Sequence, residues 1–187
     1  MSEWIERPEL SAYMARQRWF GQSEGEVAIT EVRELEWLSD PAEGLGVRFE
    51  LVVAGSLYSV PLSYRRQPRE DLSYGFIGAA SLDGGVFYVY DALHDPEARG
   101  ILMRGFVDGI DSPADISYSR LEGFALEADV DSVLLSAEQS NTSVIVGDGL
   151  IKFYRTLSPG RNPDIEIQAA LTLLGSEQIS PLLGWIS

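Results

Sequence analysis

The chain has 187 residues, enough for one medium domain or two small ones around a sizeable buried core. Its 14 basic residues stand against 29 acidic ones, and a net charge of −15 repels phosphate backbones and anionic lipid, so neither nucleic acid nor a membrane is expected as partner. The absence of cysteine excludes disulfides, thiolate chemistry and Cys-based metal sites, and the single histidine, His94, excludes a histidine-rich metal centre within one chain.

Hydrophobic residues at 45% and charged residues at 23% are ordinary for a globular protein and too apolar for disorder. No run of 18 apolar residues occurs, and the start, Met1–Arg7, is polar and acidic without a leader pattern. A cytoplasmic location is expected.

Residues 8–18 read as a helix, with Leu10, Tyr13, Met14 and Gln17 on one face and Gly21 as the stop. Trp19 and Phe20 follow as core anchors, and Arg16 and Arg18 as solvated charges; the rival reading is a basic and aromatic binding patch. From Val27 the period becomes two. Val27 to Leu38, Val47 to Val53, Tyr58 to Tyr64, Phe76 to Gly78 and Val86 to Tyr90 read as antiparallel strands of a meander. Pro61 places the third of these at a sheet edge. Gly44-Leu45-Gly46 reads as a turn, since no helix follows to make it a phosphate loop. One helix and about five meandering strands make an α+β unit, the helix packed across a curved antiparallel sheet.

Asp95-Pro96-Glu97 reads as an N-cap, a first-turn proline and an acidic first turn, opening a helix with Ile101, Leu102, Phe106 and Val107 as its apolar stripe. His94 reads as local capping, and Asp108, Asp111 and Asp115 as solvated loop acids. Strands resume at Ile116–Leu126 and Val133–Ser136. A polar stretch, Ser140-Asn141-Thr142-Ser143, then leads into two β-branched runs around Asp148-Gly149, read as a type I′ hairpin. The return strand carries Lys152, the chain's only lysine beside thirteen arginines. A helix with Glu166, over Ile165–Gly175, and an apolar strand, Ile179–Ile186, complete the pattern; that last strand wants a partner, and the chain reads as cut after it.

Small polar loop, hairpin, lysine strand, helix with a glutamate and a further strand is the order of a protein-kinase-like small lobe. There a loop covers the phosphates, a lysine meets them, and the glutamate holds the lysine. The covering loop has no Gly-x-Gly-x-x-Gly here; Ser140, Asn141, Thr142 and Ser143 would donate from hydroxyl, amide and backbone groups instead. A plain polar hairpin loop beside an exposed lysine remains the alternative.

Several stretches resemble the actinobacterial maltokinases, relatives of the aminoglycoside phosphotransferases. They are Glu138–Ser143, Ile151–Arg155, Pro159–Glu166 and Pro181–Trp185, together with Arg18–Gly21, Val60–Arg65 and Asp91–Glu97. The resemblance implies a cystatin-like cap over residues 1–90, then an intermediate subdomain over 91–187 that forms a kinase small lobe. It implies ATP and Mg²⁺ as cofactors, with Ser140, Asn141, Thr142 and Ser143 as the phosphate loop, Lys152 as the nucleotide lysine and Glu166 as its partner. It further implies a sugar acceptor, maltose, converted to maltose 1-phosphate on a route from trehalose to glycogen-type α-glucan. The Asp base and the Mg²⁺ ligands are expected in a large lobe after Ser187, because no His-Gly-Asp or equivalent occurs in the chain; no catalytic residue and no metal ligand is assigned here, and the chain alone is expected to be inactive. The rival expectations are the N-terminal part of a glucosamine kinase, which carries a similar cap, and a noncatalytic module docking a partner such as a trehalose synthase.

Overall fold

A computed structural model describes residues 7–20, 28–108, 111–112, 115–123, 131–135 and 140–187. Helix α1 (Arg7–Ala15) precedes strands β1 (Glu31–Ser39), β2 (Leu45–Ala54), β3 (Ser56–Arg65), β4 (Phe76–Leu82) and β5 (Gly85–Asp91). Helix α2 (Pro96–Asp108) is followed by β6 (Asp111–Ser112), β7 (Ile116–Arg120), β8 (Ser132–Leu134), β9 (Asn141–Val146), β10 (Gly149–Tyr154) and β11 (Thr156–Leu157). Helix α3 (Pro163–Leu173) and β12 (Gly184–Ile186) complete the described elements. The main sheet runs β1-β2-β3-β5-β4, every pair antiparallel, with β11 added beside β3. Two smaller sheets run β10-β9-β8 and β12-β7-β6. The mixed, largely antiparallel architecture is compatible with the expected α+β cap.

Leu10, Tyr13 and Met14 of α1 are fully buried, as their helical spacing requires, and Trp19 and Phe20 join them against Val52, Val60, Leu62 and Val89 of the sheet. Each such side chain contributes roughly 1.5–3 kcal/mol by leaving water. The helix ends before residue 18 because a tighter turn takes over: Arg16 N bonds Tyr13 O and Gln17 N bonds Met14 O. The opposite face of the sheet, with Val47 and Phe49, packs on Ala98 and Leu102 of α2. Asp95 opens α2 as expected, its Oδ1 accepting from Glu97 N and Ala98 N. His94 does not cap; it packs against Gly75, where a Cβ would come within 2.6 Å of the His94 Cβ. Burial lowers its pKa below the usual histidine value.

Pro61 is not at an edge. It lies in β3, inside the sheet, opposite Phe49 of β2. Ser59 N donates to Arg155 O beside β11, so residue 61, two positions on, turns its nitrogen to the same side. There β11 pairs only with Leu57 and Tyr58, and β5 begins pairing only at Leu62. The missing N–H thus falls in the gap between two partners and costs no ladder bond.

The β9–β10 turn also differs from expectation by one residue. Val146 pairs with Gly149, so Gly147 and Asp148 are its central residues. Gly147 has φ +54 and Asp148 keeps φ negative, the pattern of a type II′ turn. The expected final strand is confined to Gly184–Ile186 and finds its partner in β7.

On the α1 face of the main sheet, Arg48 lies between Trp37 (4.4 Å) and Tyr64 (5.1 Å). Its guanidinium donates to Glu50 Oε1 at 2.8 Å and Glu34 Oε2 at 2.8 Å, and Tyr64 OH donates to the same Glu50 oxygen. Burial pushes the Glu50 carboxyl up from 4.5 to about 7, against the pull of Arg48 and Tyr64. Between those two values the folded chain holds a proton that the unfolded chain has released. Stability therefore falls as pH rises through this window, by on the order of 3 kcal/mol for this group, and levels off above it. Urea midpoints measured from pH 5 to 8 should show that decline in the parent and a flattened profile in Glu50→Gln, whatever its absolute stability.

Candidate functional site

The small sheet β10-β9-β8 is sided by its alternation. Val144, Val146, Ile151 and Leu134 point inward, onto Met103 and Phe106 of α2. The outward positions hold Val133, Ile145 and Leu150, which are 58%, 38% and 61% exposed. Val133 pairs with Ile145 and Ile145 with Leu150, so the three form one apolar row across the sheet. In the next row along the strands Lys152 pairs with Ser143. The lone lysine therefore stands on the same outer face, beside an exposed apolar strip.

The sequence candidates fall on this sheet as follows. Ser140 is exposed just ahead of β9. Asn141, Thr142 and Ser143 lie within β9 itself, so the strand begins inside the expected loop. Thr142 faces inward and its Oγ1 accepts from Arg155 Nε at 2.9 Å. Ser143 faces outward beside Lys152, yet it is buried, and its Oγ has no hydrogen-bond partner. Lys152 Nζ lies 5.3 Å from the ring centroid of Tyr154. Tyr154 OH donates to Asp164 Oδ2 at 3.0 Å, in the first turn of α3, where Asn162 caps by accepting from Asp164 N. Glu166 is paired with Arg161 at 3.9 Å, and the structure forms no ion pair between Glu166 and Lys152. Among the described residues, no group of three or more acidic or histidine side chains is arranged to hold a metal ion.

Sequence reasoning passed over the groups that hold this sheet in place. Arg155, one residue beyond β10, is 1% exposed. Its Nη2 donates to Asp91 Oδ2 at 2.8 Å, and Tyr13 OH donates to the same oxygen at 2.9 Å. Asp91 Oδ1 accepts from Leu93 N. The guanidinium also lies 4.8 Å over the Trp19 ring. Burial and the adjacent Asp91 carboxylate together hold the Tyr13 hydroxyl well above its ordinary pKa, so it donates at any physiological pH. On the other side Arg99 of α2 grips β8, donating to Ser132 Oγ at 2.7 Å and Ser132 O at 2.8 Å, and to Leu93 O at 2.7 Å. Arg155 and Asp91 both sit in the stretches that carry the maltokinase resemblance; their proximity across 64 positions is what the sequence does not display.

Residues 13–95 match the family model of the maltokinase N-terminal cap domain. The match begins at Tyr13 in α1, takes in the whole main sheet except β11, and ends at Asp95, the cap of α2. It supports a maltokinase-type N-terminal region in this chain. The matched region and the small sheet meet at Asp91, Arg155 and Thr142. No helix among the described residues is long and apolar enough to cross a membrane.

Asp91→Ala leaves Arg155 as a buried charge without its carboxylate, and should cost about 3–5 kcal/mol. Tyr13→Phe removes one bond to a carboxylate that keeps its other partners, and should cost about 1–2 kcal/mol. Guanidinium unfolding of both variants checks the order; equal small losses for the two would mean that the Asp91–Arg155 pair is not the anchor.

Proposed function

We propose that the chain is the N-terminal part of an ATP-dependent sugar kinase of the maltokinase type, supplying the cap and one wall of the ATP site. The observation that carries this reading is the outer face of the β8–β10 sheet, where the apolar row Val133–Ile145–Leu150 lies next to the single lysine, Lys152. A flat apolar strip suits a purine ring. A compact ammonium on a long stem, a few ångströms along the strand, suits the phosphates that follow it. The match of residues 13–95 to the maltokinase cap supports the sugar-kinase class.

In this reading Ser140 and the backbone at the start of β9 line the phosphates, and Ser143, fully buried beside Lys152, reaches them once the groups covering it move aside. Glu166 reaches Lys152 when α3 moves toward the sheet. That exchange costs little, because the Arg161–Glu166 pair is 87% and 52% exposed and such pairs contribute on the order of 0–1 kcal/mol. When bound with the nucleotide, Mg²⁺ would supply positive charge against the phosphates. The described residues offer no acidic cluster for it, so the reading assigns the ion, the general base and most of the maltose site to a large lobe. Maltose 1-phosphate is the proposed product.

Isothermal titration of the chain with ATP tests the proposal. ATP should bind, and AMP more weakly. Lys152→Arg should weaken ATP about tenfold while leaving AMP nearly unchanged, because a planar fork cannot occupy the point an ammonium fills. Ile145→Glu should weaken ATP and AMP alike by disrupting the apolar row. Incubation with ATP, Mg²⁺ and maltose should yield no maltose 1-phosphate from the chain alone. The reading falls if adenine nucleotides at about millimolar concentration, a binding energy near −4 kcal/mol, leave no trace of binding.

A further inference from the structure

The two edges of the main sheet are built differently. The β1 edge carries Glu31, Arg33 and Glu36 and is broken by bulges at Glu34–Trp37 and Trp37–Ser39, both ordinary protections against strand addition. The β4 edge, Phe76-Ile77-Gly78-Ala79-Ala80-Ser81-Leu82, has no charge and no proline. It has one irregularity at its start, between Phe76 and Gly78, and its pairing with β5 then runs without interruption to Leu82. The two-residue turn at Asp83-Gly84 makes Leu82–Gly85 the hydrogen-bonded closing pair, so Leu82, Ala80 and Gly78 bond inward to β5. The N–H and C=O of Ala79 and Ser81 then face outward, and among the described residues nothing pairs with them.

We infer that the β4 edge receives an extended, lysine- or arginine-bearing segment of another polypeptide as an added strand. A second copy of this chain does not fit. Helix α1 lies over β4, with Glu9 so close to Gly78 that a Cβ there would meet its carboxylate oxygen. Paired β4 strands would stand about 4.8 Å apart, while the two α1 helices above them need about 8–10 Å, and two Glu9 carboxylates would be forced together. A lone strand has no helix to crowd. It finds Glu9 on one face of the edge and Asp83 at its end, neither in an ion pair among the described residues. Arg66, stacked 4.8 Å over Phe87, belongs to the β5 side of the hairpin. On the other face it finds exposed Phe76, Ala79, Ser81 and Val86. Bases alternating with apolar residues therefore meet Glu9 on one side and Phe76, Ala79 and Ser81 on the other.

The probe is an acetylated, amidated heptapeptide of alternating lysine and valine, titrated into the full chain while backbone amide exchange is followed by NMR. Exchange at the Ala79 and Ser81 amides should slow about tenfold, with no change along β1. Glu9→Lys should weaken the peptide about two- to fivefold, the worth of an exposed ion pair. Ser81→Pro deletes only an outward N–H; it should melt like the parent and lose the protection. If Ser81→Pro does not fold, the Ala79 and Ser81 amides of the parent and the Glu9→Lys titration decide. Unchanged exchange at about millimolar peptide overturns the inference, as does equal protection by the glutamate–valine counterpart. Concentration-dependent self-association that protects the same two amides without peptide also overturns it, in favour of a second copy.

Discussion

The ion pair between Arg155 and Asp91 is the contact on which the rest of the arrangement depends. A guanidinium at 1% exposure and a carboxylate at 0% are each costly to take out of water, and each is tolerable only with the other present. The surroundings are shaped to that need. Tyr13 brings a hydroxyl from α1, Leu93 a backbone N–H, Thr142 an oxygen for Nε, and Trp19 an aromatic face. Because these groups come from the first helix, the end of β5, β9 and the end of β10, the charge pair fixes four segments at once. Ser59 N bonding to Arg155 O then seats β11 on β3, so the backbone of the same residue extends the main sheet.

What the small sheet offers outward follows from what it must bury. Val144, Val146 and Ile151 are committed to α2, and alternation alone then sends Ile145, Leu150 and Lys152 to the opposite face. That face would ordinarily be polar on a sheet with one side in water. Three apolar residues in one lateral row are therefore a departure that packing within the described residues does not account for. Arg99 adds precision by holding both the side chain and the carbonyl of Ser132, one position from Val133.

Much of this was legible in the sequence where the signal is local. The α1 face, the strands of the meander, the Asp95 cap and the outward setting of Lys152 all come from periodicity and cap chemistry, which act over a few residues. The misreadings share a different cause. Pro61 signals an edge only if both neighbours along β3 are continuous, and the interruption between β11 and β5 is set by residues far away in the chain. The hairpin centre moved from Asp148-Gly149 to Gly147-Asp148 because two glycines flank the aspartate, so either placement satisfies the local rule, and inward packing of Val144 and Val146 chose the register. Arg155 reads as one more arginine beside a strand; nothing within ten positions of it announces a buried partner.

The distance along the chain between Asp91 and Arg155 has a consequence for how the molecule folds. The partners are 64 residues apart, so the strands of the main sheet and α1 are synthesised well before the guanidinium that neutralises Asp91. Until Arg155 arrives, the Asp91–Tyr13 corner holds a carboxylate without its counter-charge, and β3 lacks its β11 neighbour. Closing a loop of that length is an entropic cost met late, after local helices and hairpins have formed. The last step of folding is thus expected to be the docking of the β9–β10 hairpin onto a loosely held main sheet, with the rate set by that encounter rather than by the meander. Trp19, lying over the incoming Arg155, sits where its fluorescence would report the moment of closure.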